Sequence, residues 1–312
     1  MKIAFLLYPT AKIKINEDTS FWLMYELQKR GHKLFHFESR HLLWRRNAPH
    51  AHLAASKLHP QKGFFHSPFD AEATDLTGLD CIFIRKEPPF DNEYLYALQI
   101  LEMLRGKVFM VNDPSGIALC NEKLFTLSFP KLIPETLVTS EPVSARKFIE
   151  TLQGKAVIKP LNDKGGSGIF LTHFGHKNLP SLLDVSTEFG KRKILVQRYV
   201  DSARFGDKRI LVLDGKILGV FLRKAPHGDF RANLGLGGTM HKILPSLSDE
   251  RLVKEMAPVL LRHGLFFAGL DVIGKYLLEA NVTSPSGIPE LNFLNKTHLE
   301  KNVADFIEKR LC

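Results

Sequence analysis

Apolar residues along this chain arrive in two rhythms, and the alternation between them predicts the elements. Residues 2–7 form a nearly continuous apolar run, the mark of a buried strand. A polar loop, 8–17, leads to residues 19–30, where apolar positions recur every three to four residues until Gly31 ends them, as in an amphipathic helix. Strand character resumes at 34–37. Strand, helix and strand in that order predict a parallel, doubly wound α/β sheet whose ligands gather at the carboxyl ends of the strands, where residues 9–14 would sit. Residues 79–84 read as a further strand stopped by Pro88 and Pro89, 93–104 as a helix and 107–111 as a closing strand, giving a first domain over 1–120. Residues 40–70 carry His41, His50, His52, His59 and His66 in no metal-ligand spacing and read as a solvated excursion.

The pattern changes from Asn121 onward. A short helix at 121, a strand at 134–139, a helix opened by Ser140 and Pro142 and ended by Gly154, and strands at 156–160 and 194–200 form a middle unit, 121–200. The remainder, 201–312, holds a strand at 210–213, a turn at Asp214-Gly215, a helix at 249–263 capped by Ser248 and kinked at Pro258, an apolar hairpin at 270–281 and a tail helix at 298–311. Residues 224–239 have four glycines and little periodicity. A loop of that length inside a folded unit is uncommon unless it functions, and its glycines would let it hinge as a lid.

Composition narrows the class without naming the chemistry. The 312 residues suffice for two or three domains, and 44% hydrophobic with 24% charged residues is the profile of a soluble globular protein. The longest apolar runs fall far short of the roughly 18 residues of a membrane span, and Met1-Lys2 makes a poor signal peptide, so the cytoplasm is expected and no membrane partner. Cys81, Cys120 and Cys312 form no metal or disulfide motif. The net charge of +10 is spread along the chain without a basic tail or an aromatic-basic motif, which argues against nucleic acid and for a small anionic ligand.

Two stretches carry candidate chemistry. In the hairpin, Asp271, Glu279 and Asn281 interrupt apolar strands; hard oxygen donors on one face suit Mg²⁺. A plain two-residue turn at Gly274-Lys275 would set Asp271 opposite Leu278 and send the carboxylates to opposite faces. One face therefore requires a three-residue loop or a bulge. The second stretch, Asp163-Lys164-Gly165-Gly166-Ser167-Gly168, follows a strand ending in Lys159. It matches neither G-x-x-x-x-G-K-[ST] nor G-x-G-x-x-G, yet its glycines would let backbone amides close on phosphate, with Lys123 and Lys159 nearby in the chain.

In their order, Lys123, Lys159, the glycine loop, Gln197-Arg198-Tyr199-Val200, Asp207-Lys208-Arg209, Arg231-Ala232-Asn233 and Asp271…Glu279-Ala280-Asn281 resemble the ATP-grasp superfamily. With Arg85-Lys86-Glu87-Pro88-Pro89-Phe90-Asp91 and Asn281-Val282-Thr283-Ser284-Pro285 added, the whole chain resembles its bacterial glutathione synthetases. Departures are mild: Ala280, Ser286 and Glu87 replace residues usual there. The resemblance implies an N-terminal α/β domain, then a two-lobed ATP-grasp fold, its lobes at 121–200 and 201–312. It further implies ATP-dependent ligation of γ-glutamylcysteine to glycine through an acyl phosphate, with two Mg²⁺ ions or Mn²⁺ on Asp271, Glu279 and Asn281. Lys123, Lys159 and the turn Gly165, Gly166, Ser167, Gly168 would hold the triphosphate; Gln197, Arg198, Tyr199 and Val200 the adenine; Asp207 the ribose. Arg209 and Arg231 would stabilise transferring charge with Asn233 orienting, Arg85, Ser284, Ser286 and Gly287 would meet the peptide, and the assembly would be a homotetramer. Another ATP-grasp amino-acid or peptide ligase, or a non-catalytic ATP-binding regulator, stays open; a retired site would be expected to lose one of the three metal donors, and all three stand.

Overall fold

The structure is a computed structural model that describes residues 1–162 and 165–311; Asp163 and Lys164 of the glycine loop, and Cys312, lie outside the described residues. In chain order the first elements are β1 (Lys2–Leu6), α1 (Thr19–Lys29), β2 (Lys33–Phe37), β3 (Leu42–Arg45), β4 (Ala48–Ala51), β5 (Ala54–His59), β6 (Gly63–His66), β7 (Thr74–Asp75), β8 (Cys81–Ile84), α2 (Asn92–Glu102), β9 (Phe109–Val111) and α3 (Pro114–Leu119). β2, β1, β8 and β9 run parallel, as the opening strand-helix-strand pattern predicts, and β5–β6 extend that sheet antiparallel from its β2 edge. After the exposed Lys2, β1 is apolar because both of its faces are covered. Ile3, Phe5 and Leu7 pack toward α1, while Ala4 and Leu6 pack toward α2.

The segment expected to be a solvated excursion is folded. Its residues make β3–β6, and His50 is buried, because apolar positions such as Leu53, Ala54 and Leu58 find cover that the Pro, Ser and Lys between them had masked.

Next come β10 (Thr136–Thr139), α4 (Pro142–Thr151), β11 (Lys155–Pro160), β12 (Phe170–His173), α5 (Leu179–Ser186) and β13 (Ile194–Arg198). They form a four-stranded antiparallel sheet with a small core of its own, in which Ala145, Ile149, Leu183 and Val196 meet. The last elements are β14 (Asp207–Leu213), β15 (Lys216–Lys224), β16 (Thr239–Lys242), α6 (Leu247–Arg262), β17 (Phe267–Ile273), β18 (Tyr276–Asn281), α7 (Ile288–Asn295) and α8 (Glu300–Leu311). β14–β18 form an antiparallel sheet that shares its core with the N-terminal sheet. Asn112 staples the two: its Nδ2 donates to the carbonyls of Phe267 and Val282 at 2.7 and 2.8 Å, and its Oδ1 accepts from Phe267 N at 2.8 Å. The cap of α6 is Ser246, whose hydroxyl accepts from Asp249 N, and not Ser248, because the capping box pairs Ser246 with Asp249 three positions on. No helix among the described residues is long and apolar enough to cross a membrane.

One buried titratable group sits where the antiparallel hairpin joins the parallel sheet. His36 on β2 is fully buried, its Nδ1 3.0 Å from Ser56 Oγ on β5, its ring edge-on to Phe64, His66 and Phe69, and its Nε2 without a partner among the described residues. Burial, helped by His66 and His41, pushes its pKa down to about 4, against a weaker pull upward from Ala54. The unfolded chain therefore takes up a proton near pH 6.5 that the folded chain refuses, so stability is complete above that pH and falls as pH drops toward 4, by up to ~3 kcal/mol. Urea unfolding from pH 7.5 to 4.5 should show a steeper acid loss in the wild type than in His36→Asn; parallel slopes would disprove the assignment.

Candidate active site

The site is built on one face of the sheet β14–β18. The register sets Arg209 on β14 opposite Asp271 on β17, and Asp271 opposite Glu279 on β18. Asp207, two positions before Arg209, lies opposite Arg223 on β15. Strand side chains alternate, so Arg223, Asp207, Arg209, Asp271, Glu279 and Asn281 share one face as a charged stripe across four strands. The hairpin reaches this parity by a bulge. Its turn has two residues, Gly274-Lys275, but Asp271 pairs with Glu279 while Val272 pairs with Leu277, which makes Leu278 the extra residue.

Within the stripe Asp271 is the centre. Both of its oxygens meet Arg209, at 2.5 Å from Nε and 3.0 Å from Nη2; Arg223 Nη2 lies 3.1 Å away and Asn281 Nδ2 3.4 Å. Burial alone would raise the Asp271 carboxyl, but the charges of Arg209 and Arg223 outweigh it and hold the group well below the usual carboxylate range. Arg223 also grips Asp207 with two bonds, at 2.7 and 2.9 Å. Asn281 donates its Nδ2 to Gly269 O at 3.0 Å as well as toward Asp271, so its Oδ1 is the oxygen left to face a ligand. Glu279 pairs with Lys123 Nζ at 3.6 Å. Among the described residues no group of three His, Cys, Asp or Glu side chains could hold a metal, so a cation here needs the Asn281 amide oxygen as its third donor. Two carboxylates and an amide oxygen on one face fit Mg²⁺ in donor type, and the arginines keep Asp271 anionic for that role.

This stripe floors a cavity of about 1190 Å³. Lys159, at the end of β11, is buried over the cavity with its Nζ 3.1 Å from Gln197 Oε1, and Gln197 is fixed in turn by Thr136 at 2.9 Å. Burial pushes the Lys159 ammonium down, and the Glu279 charge works against that. Gly166 lies under the 224–239 loop. Arg231 Nη1 donates to its carbonyl at 2.9 Å, and a Cβ at Gly166 would stand 2.8 Å from Asn233 Oδ1, in a backbone already at φ +82°. Arg231 is also clasped by Asp229, Nη2 to Oδ2 at 2.7 Å.

Most of the residues singled out from the sequence meet here: Lys123, Lys159, Gly165 and Gly166; Gln197, Arg198, Tyr199, Val200 and Asp207; Arg209, Arg231 and Asn233; Asp271, Glu279 and Asn281; Ser284 and Ser286. Four do not line the cavity. Ser167 and Gly168 lie beyond its edge. Arg85 is buried, donating to Ser20 Oγ at 3.0 Å and to Pro285 O at 2.8 Å, so it clamps the 284–287 loop from behind. Gly287 is buried against α1, its N–H pointing to Thr19 Oγ1 at 3.2 Å. Two expectations shift in detail: Asp207 is engaged by Arg223, and the amide of Arg198 is used by Glu135 O at 2.9 Å.

Sequence reasoning missed Arg223, Glu122, Thr283, Glu290 and the apolar lining Val157, Ile169 and Leu278. An arginine following the apolar run 217–222, just before Lys224, was the available signal for Arg223. Glu122 is half-buried, and desolvation pushes its carboxyl up while it accepts from Thr283 Oγ1 at 2.7 Å.

Comparison with known proteins agrees with this geometry. Residues 1–118 match the family model of the prokaryotic glutathione synthetase N-terminal domain, and residues 122–296 that of its ATP-grasp domain. The glutathione synthetase of Gloeobacter violaceus is 38% identical over 98% of this chain and 96% of that protein, and the one from Nostoc is 36% identical over 100% and 99%. Among solved structures, D-cycloserine synthetase DcsG superposes with a TM-score of 0.67 at 11% identity over 98% of this chain and 100% of its own. The macrocyclase MdnC of Microcystis aeruginosa, bound to its precursor peptide, gives 0.65 at 15% over 99% and 100%; both share the fold. With both family models matched across nearly the whole chain, the charged stripe and its cavity are those of a member, and the chain belongs to the prokaryotic glutathione synthetase family.

Proposed function

We propose that the protein is an ATP-dependent carboxylate-amine ligase that joins γ-glutamylcysteine to glycine through an acyl phosphate, giving glutathione, ADP and phosphate. The observation that carries this reading is the stripe Arg223–Asp207–Arg209–Asp271–Glu279–Asn281 lining one cavity with Lys123 and Lys159. Residues 1–120, 121–200 and 201–312 act as the N-terminal domain and the two ATP-grasp lobes, with the nucleotide between the lobes.

The first step brings a carboxylate to a phosphate, two anions, and needs positive charge placed in advance. Lys123 and Lys159 serve the triphosphate, and Arg209 with Arg223 serves the transferring group. Two Mg²⁺ ions, held by Asp271, Glu279 and Asn281, would supply further offset of phosphate charge at that point. Val157, Ile169 and Leu278 give the adenine an apolar slot beside the 197–200 strand end. An acyl phosphate hydrolyses if water reaches it, and the Arg231 contact to Gly166 gives the 224–239 loop a way to shut the cavity.

Phosphate release from ATP should require both γ-glutamylcysteine and glycine, with glutathione as the product by mass; release independent of either substrate would overturn the reading. Gly166→Ala, which wedges the loop off Asn233, and Arg231→Ala should each lower kcat by about tenfold or more while the melting temperature holds, since both change the contact between the loop and the glycine turn and neither belongs to a hydrophobic core. Asp271→Asn and Glu279→Gln should both abolish turnover and weaken Mg²⁺ binding by calorimetry, yet differ in stability. The first strands Arg209 and Arg223 in the interior and should cost about 3–5 kcal/mol, while the second leaves a partly exposed site and should cost far less.

A further inference from the structure

The second half of the proposed reaction sets a problem that the stripe does not solve. An amine enters as an ammonium ion and must lose a proton before its nitrogen can attack the acyl carbon, inside a cavity closed to water. A carboxylate with an unoccupied oxygen has to stand where the amine arrives.

Most carboxylates lining the cavity are engaged. Asp207 and Asp271 are bound by arginines, Glu279 pairs with Lys123, Glu122 accepts from Thr283, and Glu17 pairs with Lys14 at 3.1 Å at the surface. Glu290 differs. It lies in the first turn of α7, just past the 284–287 loop, and lines the cavity. Its Oε2 is shielded from solvent and has no hydrogen-bond partner among the described residues. A first-turn glutamate that merely favoured the helix dipole would keep its oxygens in water. A shielded and unsatisfied carboxylate oxygen costs stability, and native structures keep such groups where a ligand completes them.

Its surroundings point to the same use. Burial pushes the Glu290 carboxyl up, its own amide and the charges of Arg209 and Arg223 pull it back, and Glu17 pushes it up again. Glu290 thus lies within electrostatic reach of the two arginines that face the transferring phosphoryl group, with a second carboxylate behind it. The loop before it is pinned on both sides: Pro285 O takes a bond from Arg85 at 2.8 Å, and Ser286 O one from Arg209 Nη1 at 3.3 Å. The carboxylate is thereby held in register with the reacting groups.

Building on the ligase reading, we infer that Glu290 seats the ammonium of the incoming amine acceptor and takes the proton it must shed. The acceptor nitrogen gives one proton to Glu290 Oε2 and its freed electron pair forms the bond to the acyl carbon. The carbon–oxygen bond to phosphate breaks, and phosphate leaves with the electrons of that bond and takes up the second proton of the nitrogen, so that a neutral amide remains.

The test compares wild type, Glu290→Gln and Glu290→Asp. Glu290→Gln keeps the shape and removes the charge. It should raise KM for glycine roughly tenfold and lower kcat for ligation about a hundredfold. KM for γ-glutamylcysteine and the donor-dependent positional isotope exchange of labelled ATP, which reports acyl phosphate formation without any amine, should stay within about twofold. Glu290→Asp, retaining the charge, should recover part of the glycine KM. An unchanged glycine KM in Glu290→Gln overturns the assignment. So does a rise in the γ-glutamylcysteine KM instead, which would put the donor's own ammonium on this carboxylate, and so does loss of isotope exchange together with a lowered melting temperature, the mark of a purely structural role. A wild-type enzyme that makes no glycine-dependent product removes the ligase reading itself, an outcome visible in the control before any variant is compared.

Discussion

The structure turns on a carboxylate that cannot be neutral. Asp271 is buried on the inner face of a β-sheet, where burial alone would protonate it, and two arginines arriving from neighbouring strands keep it charged. The arginines depend on it equally, since a guanidinium without its counter-charge in the interior costs several kcal/mol. That mutual dependence fixes the register of three strands, because Arg209 and Arg223 reach Asp271 only when β14, β15 and β17 align as they do. A one-residue slip would turn every charged group to the opposite face. The fold and the chemistry thus share one constraint: the arrangement that keeps the sheet in register also places cationic charge where a phosphoryl group would move.

The same reasoning explains what could be read from the chain alone. Parity is a property of sequence, and the demand that Asp271 and Glu279 share a face leaves either a three-residue loop or a bulge; of the two, the bulge at Leu278 meets that demand. The parallel sheet followed from residues 2–37 for a similar reason, since apolar period and turn residues act locally. What stayed hidden depended on distant partners. Arg223 has no motif around it and gains meaning only from Asp207 and Asp271 on other strands. Residues 40–70 read as solvated because Pro, Ser and Lys interrupt their apolar positions, and the burial of those positions is decided by the edge of β2 to which they add. Arg85 was expected to meet the peptide, yet its direction is toward Pro285 and away from the cavity, a contact with a residue 200 positions on that nothing around it in the sequence signals.

The loop over the site follows a different logic. Residues 225–238 contribute few buried side chains, and their closed position rests on Arg231 meeting Gly166 and Asp229. Asp229 holds Arg231 tightly enough for its own carboxyl to sit at about 2, with the Arg231 hydrogen bonds as the main cause. Both partners keep part of their side chains in solvent, however, so the pair contributes little to stability and opens at little cost. A cover that must admit a nucleotide and then exclude water benefits from this weakness. The glycines at 235, 237 and 238 leave the backbone free to follow, whereas the stripe beneath, locked by buried ion pairs, does not move with it.

Charge in the cavity is therefore arranged as exchange more than as attraction. In this structure most of the cations are matched by carboxylates: Lys123 by Glu279, Arg209 and Arg223 by Asp271 and Asp207, Arg231 by Asp229, while Lys159 meets the amide oxygen of Gln197. A polyanionic nucleotide entering such a site must replace internal partners rather than fill an empty positive hole, which lowers raw affinity and raises selectivity. Only a ligand that presents phosphate oxygens and a divalent cation together can satisfy Lys123 and Glu279 at once when their mutual contact is given up. The chain's overall excess of basic residues supplies a weak long-range field, and discrimination comes from these paired groups. For the same reason Oε2 of Glu290 stands out: among the described residues it is shielded and left without a donor, which suits it to the remaining cation of the reaction.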